Sequence, residues 1–136
     1  MIIKCAWFVR LMGFVSAGVY GWQHARACAF WPFVVIRGEE YVDEYFINHE
    51  KIHLKQQVEL LFVGLIVWDI LETLFWMIRG KSLAQAYLLR SSEQEAYQNQ
   101  HDLMYLQSRH FLEIKKYLKN KMKIVFQDGK ILIEDF

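Results

Sequence analysis

His49-Glu50-Lys51-Ile52-His53 spells H-E-x-x-H. On a helix, residues four apart lie about 40° from each other around the axis, so the two imidazoles stack on one face a turn apart. That separation lets both reach a single Zn²⁺ at about 2.0–2.1 Å. Glu50 is too near in sequence to be a natural third ligand, but it flanks the same face. There a carboxylate can take the proton of a metal-activated water, the general-base role in zinc hydrolases. A tetrahedral site with an open position needs a third protein ligand, and His₂Glu is one of the standard catalytic sets. The run Ser92-Glu93-Gln94-Glu95-Ala96-Tyr97 supplies two candidates. Glu93, Ala96 and Tyr97 share a helix face at i, i+3 and i+4, whereas Glu95 points about 200° round from Glu93, so only one glutamate can face the site. Glu93 is the first choice of ligand and Glu95 the second. Ala96 lets the two helices approach closely, as a shared metal requires. His24, His101 and His110 read as surface or satisfied core residues.

The elements that must position these groups follow from periodicity and punctuation. Residues 1–30 read as an apolar helical segment, one helix or a hairpin of two, ended by Trp31-Pro32. Phe33-Val34-Val35-Ile36-Arg37, before Gly38, reads as a strand. It is expected as a short edge strand, either simply structural or able to pair its exposed ladder groups with an extended peptide. Residues 39–48 form a polar connection or a short helix. Asn48 is a plausible N-cap for one long helix over residues 49–78, kinked near Gly64 and stopped by Arg79-Gly80-Lys81. A short helix over 82–89 follows. Ser91 or Ser92 then caps the helix that carries the acids, whose first turn suits Glu93 and Glu95. Residues 101–121 are amphipathic with a Lys-rich face, and residues 122–136 form a β-hairpin turning at Asp128-Gly129. The expected fold is a single mainly α domain over residues 1–136, with a helical metal-site core at 48–98, a short edge strand and a C-terminal β-hairpin.

Composition narrows the function classes. The chain of 136 residues is 54% hydrophobic and 16% aromatic, too apolar for disorder. A net charge of +1 gives no electrostatic case for a nucleic-acid partner. Cys5 and Cys28 lack C-x-x-C spacing and read as buried or free thiols. Residues 60–78 are apolar except for Gly64, Asp69, Glu72 and Thr73. On an insertion scale their apolar side chains, at roughly −0.3 to −0.6 kcal/mol each, nearly cancel two central acids at roughly +2.5 to +3.5. The segment is either a buried helix or a membrane helix whose acids face protein or water. Residues 5–22 form a second apolar stretch, but Arg10 interrupts it and Ala25-Arg26-Ala27 is a weak cleavage signal, so it makes a poor signal peptide. Location is therefore open between membrane-associated and cytoplasmic.

H-E-x-x-H followed, after an intervening helical segment, by Glu93-x-x-Ala96-Tyr97 resembles the zincin metallopeptidases of the Glu-ligand type. It is most similar to the core motif of the CAAX-prenyl-protease family of membrane zincins and to small bacterial proteins with this zincin core. The resemblance covers residues 48–98. It implies Zn²⁺ held by His49, His53 and Glu93, and a peptide or protein substrate. Tyr97 stands where that family usually has Asp, which removes the carboxylate expected to orient a ligating histidine. Tyr97 and Tyr45 are the candidate oxyanion stabilisers. The rival reading is a membrane-associated or interaction protein with a structural or regulatory zinc site. A chain this short leaves room for a partner or a homo-oligomer to complete a cleft.

Overall fold

A computed structural model of the chain describes residues 1–38, 43–119, 121, 123–127 and 130–134. The fold is mainly α. Strand β1 (Ile2–Lys4) leads into helix α1 (Ala6–His24), followed by β2 (Ala27–Phe30) and β3 (Phe33–Ile36). Helices α2 (Glu44–Glu59), α3 (Val63–Ile78), α4 (Leu83–Leu89), α5 (Ser91–Asn99) and α6 (Tyr105–Ser108) come next. A 3₁₀ turn (Glu113–Leu118) and the antiparallel pair β4 (Lys123–Gln127) and β5 (Lys130–Glu134) complete the order. The turn of that hairpin at Asp128-Gly129 lies outside the described residues, as do residues 39–42 of the expected connection and the side chain of His24.

The first thirty residues hold one helix between two strands rather than helix alone. β1 runs parallel to β3, and β2 runs antiparallel to it, in the order β1-β3-β2. Residues 33–36 therefore form the central strand, with both ladders used, and cannot serve as the expected edge. The free edge beside α2 belongs to β2. Arg37 N–H donates to the Arg26 carbonyl at 2.7 Å. Ladder bonds alternate along an antiparallel strand, so Ala27 and Ala29 turn their polar groups away from β3. Gln57 of α2 takes the Ala29 carbonyl at 2.8 Å and receives Trp31 N–H at 2.8 Å, which staples α2 to the sheet.

The expected single helix over 49–78 is two. Asp43, not Asn48, caps α2, its carboxylate accepting Phe46 N–H at 2.8 Å. The helix stops because Leu61 and Phe62 take positive φ (53° and 56°), which a right-handed helix cannot contain. Phe62 packs edge-on against Phe30 of β2 at 5.2 Å, so the corner is held by the same strand that holds Gln57. α3 then leaves at 108° to α2. Its end is a Schellman motif: Lys81 N–H donates to the Trp76 carbonyl at 3.0 Å and Gly80 N–H to that of Met77 at 2.9 Å. Gly80 has φ 86°, the conformation that glycine adopts at least cost.

Residues 101–121 do not form one amphipathic helix. α6 is a single turn, Arg109 is extended, and Leu112 is left-handed at φ 54°. The interruption delivers the Arg109 guanidinium to Glu95 and, at 2.6 Å, to Glu59. All three side chains are essentially inaccessible. Breaking a buried pair costs about 3–5 kcal/mol, whereas continuing a helix gains only a few tenths per residue, so the charges decide the path.

Candidate metal centre

α2 and α5 meet at Ile52 and Ala96, both fully buried, with Tyr105 completing the cluster. The close approach that Ala96 permits brings His49, His53 and Glu93 together. His49 Nε2 lies 3.1 Å from His53 Nε2 and 3.5 Å from Glu93 Oε2, and His53 Nε2 lies 3.4 Å from Glu93 Oε1. Ligand atoms about 2.1 Å from a tetrahedral ion are about 3.4 Å apart, so these separations are those of one face of such a site.

The surrounding hydrogen bonds decide which ring nitrogens are free. Gln56 donates its amide hydrogens to the Ser92 carbonyl at 3.1 Å and to Glu95 Oε2 at 3.0 Å. Its Oε1 therefore faces His53 Nδ1, 2.8 Å away, and an amide oxygen only accepts. A neutral His53 ring therefore carries its proton on Nδ1 and its lone pair on Nε2. Gln100 Oε1, 3.2 Å from His49 Nδ1, does the same for the second ring. Two lone pairs and a carboxylate thus point at one another in a buried space. With both rings neutral that arrangement is repulsive, and either a proton or a metal ion relieves it. Glu93 Oε2 is buried without a hydrogen-bond partner, among the described residues the one such side-chain atom. The His49, His53 and Glu93 group could hold a metal ion.

Titration directions carry the same message. Burial opposes the charge on Glu93, but His53 and His49 outweigh it and hold the carboxyl below its usual range. Burial likewise opposes the charge on His53, and Glu93 prevails, raising it to about 10. The cluster as a whole seeks positive charge.

Each acid of α5 has its own task. Glu93 is fixed from α3: Asp69 Oδ1 accepts from Ser92 Oγ at 2.7 Å, and Glu72 Oε2 accepts Ser91 N–H at 2.7 Å and Ser91 Oγ–H at 2.6 Å. Glu72 thereby closes the start of α5, a duty the sequence reading gave to Ser91 or Ser92. Glu95, fully buried, accepts from Arg109, from Tyr105 Oη at 3.1 Å and from Gln56. It steadies His53 through Gln56. Two amides, Gln56 and Gln100, hence orient the rings in a chain that has Tyr97 where an orienting carboxylate would stand by the resemblance. Asn48 fastens the Gln100 end, donating to the carbonyls of Gln100 at 2.9 Å and Asp102 at 3.0 Å.

Glu50 is buried beside the cluster. Burial raises its pKa, His49 and His53 draw it back, and Ala29 N–H donates to it from β2. Both outward groups of Ala29 are therefore engaged by α2. Cys28, on the same strand, has its thiol pushed up to about 12 by burial and then by Glu50. Tyr97 packs its ring against His49, with centroids 4.5 Å apart. Tyr45 turns instead to His101, 5.0 Å away at the surface. A further phenol, Tyr87 of α4, has its pKa raised by burial and by the Glu93 carboxylate. It had no sequence signal, because it lies on a separate helix at no fixed spacing from the motif.

Comparison with known proteins adds no relative: no family model, no curated protein and no solved structure matches the chain.

A first expectation separates the two acids. Glu93→Gln should abolish stoichiometric metal binding in dialysis followed by metal analysis. Glu95→Gln should weaken it by about 10–100-fold, the usual cost of losing an outer partner, and should also lower thermal stability because Arg109 is left buried with one partner. Equal losses of metal, or the reverse order, would contradict the assignment.

Proposed function

We propose that the chain is a zincin-type zinc metallohydrolase, acting on peptide bonds. Support for zinc comes from the donor set: two neutral imidazoles and one carboxylate suit that ion better than they suit calcium or magnesium, which favour oxygen. Bound zinc supplies Lewis acidity, bringing the pKa of water toward about 7 and polarising a carbonyl. Glu50 takes the proton of the attacking water and returns it to the leaving amine. Ala29 N–H keeps its carboxylate in place. The observation that carries the reading is Glu50 itself, a buried carboxylate against the His49–His53 face that is not one of the three clustered ligands. Peptide as the substrate class rests on the resemblance of the motifs.

A second reading, a structural site without turnover, draws on the burial of His49 and Glu93, since structural zinc sites are closed. One experiment divides the two. Zinc-loaded protein is screened against unstructured proteins and peptide libraries, in detergent or lipid, with and without a chelator. Hydrolysis should appear, vanish on chelation and return with zinc. Loss of thermal stability on chelation without cleavage of any substrate would favour the structural reading.

A further inference from the structure

The polarity of α3 is inverted. At 100° per residue, Val63, Ile66, Val67, Ile70, Leu71, Leu74, Phe75, Met77 and Ile78 occupy one continuous half of its circumference. All are exposed, Ile78 to 85% and Leu71 to 62%. Every side chain of α3 with an oxygen lies on the opposite half and is satisfied by protein. Asp69 accepts from Ser92, Glu72 from Ser91 and Trp68, and Thr73 Oγ1 from Arg90 Nε at 2.7 Å. Acids turned inward and hydrocarbon turned outward are what a lipid environment selects. Some nine half-exposed apolar side chains present on the order of 800 Å², more than the largest patch on a typical soluble monomer.

Charge and length name the occupant. No acid lies on the outward half, while exposed Lys51 and Lys55 precede the stripe on α2 and exposed Arg79 and Lys81 follow it. Between them the corner at Leu61-Phe62 presents Leu61 at 84% exposure. Basic ends around an apolar stripe complement anionic headgroups above acyl chains, and two copies of a face so flanked would set like charges together. Among the described residues no single helix is long and apolar enough to cross a membrane. The 16 residues of α3 extend only about 24 Å, short of a hydrocarbon core of about 30 Å.

We infer that the outward face of α3, with the Leu61 corner, is a bilayer-docking surface on which the protein lies in the plane of an anionic membrane. This stands apart from the hydrolase reading, although the inward face of the same helix seats Glu93. The test is flotation with vesicles of phosphatidylcholine and phosphatidylglycerol in equal parts. Wild type should float. Ile70→Glu/Leu74→Glu, at exposed positions, should bind at least tenfold more weakly with an unchanged helical circular-dichroism spectrum. Lys55→Glu/Lys81→Glu leaves the stripe intact and should lose affinity for the mixed vesicles while binding pure phosphatidylcholine as wild type does, which keeps the proposal testable if the first variant misfolds. Wild type that stays at the bottom of the gradient, or variants that float equally, would overturn it. So would a dimer that Ile70→Glu/Leu74→Glu converts to monomer without any wild-type flotation, since the face would then join two copies of the chain.

Discussion

His53→Ala should leave purified protein with far less than one metal ion per chain after dialysis, and His49→Ala should do the same. Each removes one of three atoms that lie 3.1–3.5 Å apart, and the two left cannot hold the ion against water. The loss should exceed the about 10–100-fold that follows removal of an outer hydrogen-bond partner. His53→Ala also removes the ring nitrogens that lie 2.8 Å from Gln56 Oε1 and 3.4 Å from Glu93 Oε1, so circular dichroism should accompany the metal analysis. Stoichiometric metal retained by both variants would remove the site from these residues altogether.

Glu50→Gln should behave in the opposite way. The amide matches the carboxylate in size, its oxygen can keep the bond from Ala29 N–H, and it leaves all three clustered ligand atoms in place. Metal content and melting temperature should therefore change little. Turnover should fall by about 10²–10⁴-fold, the usual contribution of a general base, because an amide cannot accept the proton of water. A preparation that cleaves peptides in a zinc-dependent manner and keeps its full rate after Glu50→Gln would refute the proposed role of Glu50. The two substitutions thus test separate claims, one about holding an ion and one about using it.

What could be read along the chain was whatever repeats with helical period. His49 and His53 are a turn apart on any helix, and Glu93 shares a face with Ala96, so both halves of the cluster were visible before their meeting was. The Ser82–Leu89 helix and the stop at Gly80 were legible for the same reason: caps and glycines act locally. The corner at Leu61-Phe62 was not, because hydrophobicity carries no information about the sign of φ, and Gly64 drew attention three residues late. Strand order was hidden too. Residues 33–36 look like any short β run, and only the return of Ile2–Lys4 from thirty residues earlier places them in the centre. The interruption at Arg109 depends on two acids, Glu59 and Glu95, that are distant in sequence. Gln56 and Gln100 gave no signal as orienting groups, since an amide becomes one only when its hydrogens are claimed elsewhere.

His53 and Glu93 stand on either side of a forty-residue excursion that contains all of α3 and α4. A shared ion closes that excursion as a covalent cross-link would, in a chain whose two cysteines are both free. By loop-closure entropy, tying off forty residues in the unfolded state is worth about 4 kcal/mol. The ion would then be a mechanical tether as well as a reagent. It would fasten the two ends of the segment that carries the exposed apolar face of α3.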